Sequence, residues 1–236
     1  RTLSNAIIGF SNLLASEDLS DTQREYVTEI HHAGRGLSCI VNDVLDLARI
    51  ESGNLKPDCT ECDLAELLEE IEGIIARAAA RQGLEFNIIP ADGLPARIYT
   101  DPTRLKRCLL NLTGNAIQYT RQGYVNILIN PETGLSQPHI RFDIVDTGIG
   151  IEPDLIKTIF EPIRQTERVN SGMLARINMG VHGCGILSMT RRLIELLGGR
   201  IEVTSQPNVG STFSILLPTG VEAGSQPPLV FPPSRE

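Results

Sequence analysis

The chain opens with two segments whose apolar residues recur every three or four positions, the spacing of one face of an α-helix. In residues 1–15 these apolar positions are Leu3, Ala6, Ile7, Phe10, Leu13 and Leu14. A polar, turn-like stretch follows at residues 16–21, and a second helix is predicted from about residue 20 to residue 51. The pattern therefore predicts a helical hairpin.

The second predicted helix carries a seven-residue repeat. Its two rows are Tyr26, Ala33, Ile40 and Leu47, and Ile30, Leu37 and Val44. A seam of this kind is typical of a coiled coil. The apolar stripe is wider than one hairpin can bury, so we predict a homodimer in which two hairpins form a four-helix bundle. The alternative is a hairpin that folds onto the second domain of its own chain.

A second, α/β domain is predicted beyond a linker. Residues 53–63 contain Gly53, Pro57 and two cysteines, which is typical of a linker. The later pattern predicts helices at residues 64–81, 153–160 and 186–197, a helix opened by Asp101 and Pro102, and strands at residues 84–89, 97–100, 124–129, 139–145, 200–204 and 211–217. Residues 219–236 are rich in Pro, Gly and Ser and are predicted to be a disordered tail or linker. The fold class is therefore α+β, with domains at residues 1–52 and 64–218.

Composition narrows the function classes. The net charge is −8 and no block of Lys and Arg occurs, which argues against a general nucleic-acid binder. No apolar run approaches the length of a membrane span, and Arg1 does not open a signal peptide. We expect a cytoplasmic fragment that makes no membrane contact itself, although its parent could be membrane-anchored.

The cysteines point to a reducing compartment. Five are present, an odd number without a secretory signal, so reduced thiols are expected. Cys59 and Cys62 form a lone CxxC, which would suit a redox pair or half a zinc site. No second CxxC or paired histidines complete four ligands, so two thiols in a linker are the favoured interpretation.

The first motif with chemical meaning is a pair of amides late in one predicted helix. Asn111 and Asn115 are one turn apart and share a face. A polar amide among Leu105, Leu109, Leu112 and Ala116 needs a partner, because an unpaired buried amide is costly. A neutral oxygen ligand for a Mg ion that also holds substrate phosphates would satisfy it.

Two glycine-containing motifs follow. Asp146 comes directly after an apolar strand and precedes Gly148 and Gly150. A carboxylate there can accept a hydrogen bond from the adenine amine, while glycines allow the backbone to approach a flat ring. Gly183 and Gly185 open a helix, whose free N–H groups and dipole favour phosphate.

The order and spacing of these motifs, with the closing stretch from Gly210 to Phe213, resemble the ATPase fold of sensor histidine kinases, gyrase-type topoisomerases, Hsp90-type chaperones and MutL-type repair proteins. The resemblance is closest to sensor histidine kinases and extends to Pro218. Residues 1–10 look like the segment just after the phosphoacceptor histidine, and residues 43–53 resemble the end of the second dimerisation helix. Residues 101–105 lead into the N box, and residues 160–165 are similar to the F box.

This resemblance implies a dimeric helical hairpin followed by an α/β sandwich ATPase domain that uses ATP and Mg. Asn115 would bind Mg, and Asp146 would bind the adenine amine. The other nucleotide-binding residues would be Asn111, Tyr119, Gly148, Gly150, Ile151, Gly183, Gly185 and Thr212. Residues 163–182 would form a flexible lid.

The resemblance also implies a partner and a phosphoacceptor. The acceptor histidine would lie three residues before Arg1, so it is not in the chain. Thr2 would match the position used in dephosphorylating the partner, a response regulator receiver domain. The activity implied is phosphoryl transfer from ATP to a histidine and then to an aspartate of that receiver.

Departures from the family pattern keep other functions open. Leu3-Ser4 replaces the usual Pro-Leu, Gln118 replaces the N-box Lys, and the Gly-rich box from Gly183 to Ser188 lacks one residue. A degenerate, dimeric scaffold without turnover is therefore the alternative hypothesis. An ATP-driven clamp of the gyrase or Hsp90 kind is disfavoured by the heptad seam and by the lack of a transducer domain in this sequence.

Overall fold

The computed structural model describes residues 2–17, 19–20, 22–24, 26–31, 33–34, 56–132, 137–161, 183–221 and 227–231. The chain divides into two compact units. One comprises Arg1–Leu55 and Pro162–Ile186, and the other Lys56–Glu161 and Leu187–Glu236.

The first unit contains the predicted start of the helical hairpin. Helix α1 spans Thr2–Ala15, and residues 22–24, 26–31 and 33–34 are also helical. The two segments pack where Gly34 faces Ile7, because a Cβ on Gly34 would lie 3.0 Å from the Ile7 Cγ2. The remaining seam positions, Leu37, Ile40, Val44 and Leu47, lie outside the described residues.

Much of the apolar stripe of this unit is uncovered in a single chain. Phe10 of α1 is 68% exposed and Tyr26 of the second helical segment is 63% exposed, whereas Val27 is buried. Large apolar side chains left in solvent at helical spacing are typical of an association surface.

The second unit is built on a five-stranded mixed sheet with the order β2-β4-β5-β7-β6 and a two-stranded sheet of β1 and β3. Its elements are β1 (Thr60–Asp63), α2 (Leu64–Arg81), β2 (Glu85–Pro90), β3 (Arg97–Thr100), α3 (Pro102–Tyr119), β4 (Tyr124–Glu132), β5 (His139–Asp146), α4 (Pro153–Ile156), α5 (Gly183–Leu196, which begins in the first unit), β6 (Arg200–Gln206) and β7 (Gly210–Pro218). The predicted α+β fold class is confirmed.

Helices α2 and α3 pack against one face of the five-stranded sheet. On β5, the buried side chains of Ile140, Phe142 and Ile144 point to this face, since alternate residues of a strand share a face. Fully buried leucines of α3, such as Leu109 and Leu112, complete the core. The core thus holds α3 on the sheet and fixes the direction of its side chains.

The predicted cap of α3 is confirmed. Oδ1 of Asp101 accepts a hydrogen bond from the backbone N–H of Arg104 at 3.1 Å, and Pro102 occupies the first turn. Oδ2 of Asp101 also accepts from the backbone N–H of Asp58 at 3.0 Å. The N-terminus of α3 is therefore attached to the residues that lead into β1.

Element boundaries differ from expectation in three places. Residues 60–63, expected in a linker, form β1 and pair antiparallel with β3. Helix α4 ends at Ile156 rather than at residue 160, and α5 begins at Gly183 rather than at residue 186. Tertiary pairing and a glycine-rich helix start override the local apolar pattern here.

The segment after Pro218 also differs from the disordered tail that its composition predicts. The carbonyl of Thr219 accepts a hydrogen bond from Tyr99 of β3 at 2.8 Å. The carbonyl of Pro227 accepts from Ala96 at 3.1 Å, and the N–H of Leu229 donates to Leu94 at 2.7 Å. Proline lacks a donor but is compatible with an edge strand, which explains how a proline-rich segment pairs here.

Across the described ranges, the helices are all too short or too polar to cross a membrane.

Candidate functional site

The centre of the site is a buried carboxylate at the end of β5. Asp146 is 7% exposed, and its Oδ1 accepts hydrogen bonds from the backbone N–H groups of Gly148 at 2.8 Å and Ser211 at 3.2 Å. Burial raises the pKa of this carboxyl above its ordinary value, and the hydrogen bonds from Gly148 and Ser211 oppose that shift. The carboxylate is therefore fixed in position within a poorly solvated environment.

Gly148 brings the loop after β5 against the end of α3. A Cβ on Gly148 would lie 2.5 Å from the carbonyl oxygen of Tyr119 and 2.9 Å from Oδ1 of Asp146. The same carbonyl of Tyr119 accepts a hydrogen bond from the backbone N–H of Ile149 at 3.2 Å. Only a residue without a side chain allows this approach, so glycine places Asp146 beside the C-terminal turn of α3.

Asn115 lies on α3 one turn before Tyr119, so it belongs to the same end of the sheet as Asp146. It is 8% exposed, and its amide forms no hydrogen bond with another described residue. A nearly buried amide without a protein partner has its oxygen available for a ligand. This fits a Mg ligand that acts together with phosphate oxygens.

The structure does not offer an all-protein metal cage in the described ranges. Groups of three or more His, Cys, Asp or Glu side chains placed to hold a metal are absent from that part of the chain. A Mg ion at Asn115 would therefore rely on substrate phosphates and water for its other ligands, which is the usual arrangement for this ion.

Asn111 lies a further turn back on α3 and is half-buried. It lines a groove of about 650 Å³ between the starts of α2 and α3, together with Lys106 and Arg107. Within that groove Nζ of Lys106 pairs with Glu70 at 2.6 Å. Asn111 thus lines this groove, whose described lining includes neither Asn115 nor Asp146.

Gly150 and Ile151 are held against the turn between β6 and β7. Gly150 has a φ of +67°, and a Cβ there would collide with the carbonyl of Gln206. The backbone N–H of Ile151 donates to Oγ of Ser205 at 2.8 Å. The loop from Asp146 to Ile151 is therefore bounded by α3 on one side and by this turn on the other.

The strand register places Ser211, and not the predicted site residue Thr212, opposite Asp146. Asp146 pairs with Ser211, whereas Thr212 pairs with Val145. Because side chains alternate along a strand, Thr212 points to the opposite face of the sheet from Asp146. Ser211 is the residue that touches Asp146. The buried Phe213, two positions later, was the signal in the sequence that residue 211 shares the core face.

For several of the predicted site residues, the structure describes a place in a helix but no contact with Asp146. Gly183 is the first residue of α5, and Gly185 lies in its first turn. Thr2 is the first residue of α1, with its side chain outside the described part. The whole of the predicted lid, residues 163–182, also lies outside the described residues.

Two aromatic rings anchor the segment that precedes this lid. The rings of Phe160 and Phe213 meet edge to face with centroids 6.3 Å apart. The guanidinium of Arg191, on α5, lies 5.9 Å from the centre of the Phe160 ring. Phe160 therefore connects the start of the lid to β7 and α5.

The CxxC pair carries no sign of reactive thiol chemistry. Cys59 and Cys62 are both free, and Cys62 is buried in β1. Burial, reinforced by Asp63, Glu66 and Glu70, raises the pKa of Cys62 to about 11. A thiol with so high a pKa is almost entirely protonated at neutral pH and is a poor nucleophile.

Comparison with known protein families places these features in context. Residues 100–221 match the family described as Histidine kinase-, DNA gyrase B-, and HSP90-like ATPase. Residues 5–53 match the His Kinase A (phospho-acceptor) domain.

Two Escherichia coli (strain K12) proteins illustrate the likeness in sequence. The Aerobic respiration control sensor protein ArcB is 34% identical over 218 residues, which are 92% of this chain and 27% of ArcB. The Signal transduction histidine-protein kinase BarA is 34% identical over 216 residues, 90% of this chain and 23% of BarA. The chain thus spans about a quarter of the length of these relatives.

Solved structures share the fold. Full-length ShkA, crystallised in complex with AMPPNP, has a TM-score of 0.72 and 30% identity, over 95% of this chain and 44% of ShkA. The histidine kinase ThkA, solved in complex with the response regulator protein TrrA, has a TM-score of 0.62 and 23% identity, over 92% of this chain and 57% of that chain. The second likeness is one of fold alone.

The two family matches lie in the order helical phosphoacceptor domain, then ATPase domain, and together they cover most of the chain. The relatives and the shared fold both confirm the protein family that the sequence motifs predict for this chain. The chain belongs to the histidine kinase-, DNA gyrase B- and HSP90-like ATPase family and, within it, to the sensor histidine kinases of two-component systems.

Proposed function

We propose that this chain binds Mg-ATP, transfers the γ-phosphate to a histidine, and passes the phosphoryl group on to an aspartate of a response regulator. The observation that carries the proposal is the pair of buried groups at one end of the sheet. Asn115 presents an amide without a partner among the described residues, and Asp146 presents a fixed carboxylate.

Asp146 is the proposed reader of adenine. An ionised carboxylate offers about four lone-pair positions, and two are taken by the N–H groups of Gly148 and Ser211, both on Oδ1. At least one remains for the exocyclic amine of the base. Because Asp146 is poorly solvated, an acceptor position left without a hydrogen bond costs free energy. A purine with an amine can donate that bond, whereas a purine with a carbonyl cannot.

Asn115 is the proposed ligand of Mg. The Asn115 amide oxygen would hold the ion, which would supply charge neutralisation for the phosphates. The amides at the start of α5, around Gly183 and Gly185, are proposed to contact phosphate, since helix N-termini attract anions.

The reaction requires positioning more than covalent chemistry from the protein. A ring nitrogen of the acceptor histidine attacks the γ-phosphorus, the bond to the bridging oxygen breaks, and ADP leaves. The phosphohistidine then gives its phosphoryl group to a receiver aspartate. ShkA, which is 30% identical to this chain, was crystallised with AMPPNP, an ATP analogue, and supports the proposed nucleotide by likeness.

We further propose that the chain acts as a homodimer in the cytoplasm. The exposed apolar residues of the first unit, Ile7, Phe10, Leu13, Leu14, Tyr26 and Ile30, supply a surface that a second hairpin would bury. Thr2 is proposed to act in dephosphorylation of the receiver.

The test uses the protein extended upstream of Arg1, incubated with γ-labelled ATP and Mg. We expect acid-labile, base-stable phosphohistidine that is lost in the variant Asn115→Ala. The control is Asn126→Ala. The Asn126 side chain lies on the opposite face of the sheet from the core, and its Oδ1 accepts a hydrogen bond from Nδ2 of Asn87 at 3.2 Å. Nucleotide binding without phosphohistidine would instead favour a degenerate scaffold.

A further inference from the structure

A row of hydrogen bonds connects the loop at Ile151 to the carboxylate of Asp146. The N–H of Ile151 donates to Oγ of Ser205 at 2.8 Å. The hydroxyls of Ser205 and Ser211 are 3.0 Å apart, and these residues are direct partners across β6 and β7. The backbone N–H of Ser211 in turn donates to Oδ1 of Asp146 at 3.2 Å.

The number of protons sets the direction of this row. Each serine hydroxyl has one proton to donate. Ser205 gives its proton to the carbonyl of Gly210 at 2.9 Å, so its oxygen accepts from the N–H of Ile151 and from the hydroxyl of Ser211. The carbonyl of Gly210 and the N–H of Ser211 belong to one peptide group, and that N–H donates to Asp146. The donors from Ser205 through this peptide therefore point toward the carboxylate, and such chains strengthen one another.

We propose that Ser205 is a positioning residue for adenine recognition, because its hydroxyl holds the Gly210–Ser211 peptide, whose N–H binds Asp146, and also holds the Ile151 backbone. Ser205 touches neither the base nor the phosphates in this role. It acts through Ser211 on one side and through the Gly150–Ile151 turn on the other. The inference rests on the proposed function, in which Asp146 reads the adenine amine.

The position of Ser205 explains why loss of its hydroxyl should weaken adenine recognition without disturbing the core of the domain. The residue lies at the end of β6, and its only described side-chain contacts of hydrogen-bonding kind are with Ile151, Gly210 and Ser211. Loss of its hydroxyl leaves the apolar core face of Phe213 and Ile215 intact. It removes the acceptor for Ile151 and the donor that holds the Gly210–Ser211 peptide beside Asp146.

The experiment compares ATP with ITP, which carries a carbonyl where ATP carries the amine. Calorimetric titration of the chain with each Mg-nucleotide gives an affinity ratio. We expect Ser205→Ala to lower ATP affinity about five- to tenfold and ITP affinity by less than about twofold. Ser205→Thr, which keeps the hydroxyl, should restore the ratio. Ser214→Ala on the other face of β7 should leave both affinities unchanged.

Each result has a defined meaning. Equal losses for ATP and ITP, or no loss, in a folded Ser205→Ala variant would overturn the positioning role while leaving the proposed function in place. If wild type does not prefer ATP over ITP, adenine reading by Asp146 fails, and this inference fails with it. Should Ser205→Ala not fold, Ser205→Cys, a weaker donor of similar shape, must show the same selective loss.

Discussion

The backbone N–H of Ser211 and Oδ1 of Asp146 are hydrogen-bonded at 3.2 Å across the pair formed by β5 and β7. This contact fixes the carboxylate at the end of the central strand of the sheet rather than on a loop, so its direction is determined by strand register. Precise direction matters because a hydrogen bond weakens steeply when donor and acceptor are misaligned.

Replacement of this carboxylate should weaken ATP binding without unfolding the protein. In Asp146→Asn the amide oxygen can still accept from Gly148 and Ser211, but its NH₂ group then faces the adenine amine. We expect an affinity loss of about 1.5–3 kcal/mol, or roughly 10- to 150-fold, by calorimetry.

The matched control is Asp143→Asn, in the same strand and on the opposite face. Asp143 is also buried, but its Oδ2 pairs with Nε of Arg141 at 3.0 Å. This variant should lose some thermal stability and keep its ATP affinity. A tenfold loss of affinity in Asp143→Asn would show that general stability, not adenine contact, explains the first result.

The raised pKa of Asp146 predicts a pH dependence for the nucleotide-free protein. The folded carboxyl binds its proton more tightly than the unfolded one, because burial disfavours the charge. Between the ordinary value of 3.8 and the raised folded pKa, the folded state therefore holds more protons, and stability falls as pH rises. The contribution is fully present below 3.8 and lost above the folded pKa.

Urea unfolding of wild type and Asp146→Asn between about pH 3.5 and 7 measures this effect. The free energy of unfolding of wild type, minus that of the variant, should decrease with rising pH in the stated window and level off above it. A difference that increases with pH would mean that hydrogen bonds to the carboxylate outweigh its burial.

Two glycine substitutions should have opposite effects on stability. Gly148→Ala places a Cβ 2.5 Å from the backbone carbonyl of Tyr119, so the loop must move. We expect a lower melting temperature and weaker ATP binding. Gly73→Ala, in the interior of α2 with nothing within 4 Å of the new Cβ, should stabilise the protein by about 0.5–1 kcal/mol. Equal effects in thermal unfolding would contradict the close approach at Gly148.

The pairing of the C-terminal segment predicts protected amides. The N–H of Ala96 donates to Pro227 and the N–H of Leu229 donates to Leu94. Hydrogen exchange at Ala96 should be slow in the whole chain and at least tenfold faster when the chain ends at Val221. Exchange at Leu105, inside α3, should be unchanged. Fast exchange at Ala96 in the whole chain would show that the segment is unpaired.

The sequence was sufficient to predict the fold class, the cap at Asp101, the inward-facing position of Asn115 and the place of Asp146 at the end of a strand. These depend on local signals: helical periodicity, a capping residue, and a polar residue in an apolar context. It did not single out Ser211 as the partner of Asp146, because that pairing depends on register across β5 and β7. The four-residue β1 and the segment near Pro227 carry no periodic pattern, since pairing with distant strands orders them.

The small sheet at β3 has a geometric consequence for the whole polypeptide. β1 pairs with one edge of β3, and Tyr99 of β3 donates to Thr219 on the other edge. Strand β1, by which the chain enters the second unit, and the segment after Pro218 thus lie on either side of one strand, about 10 Å apart. A protein that displaced the segment after Pro218 from β3 would loosen the strand that pairs with β1. It would do so without contacting the residues proposed to bind the nucleotide.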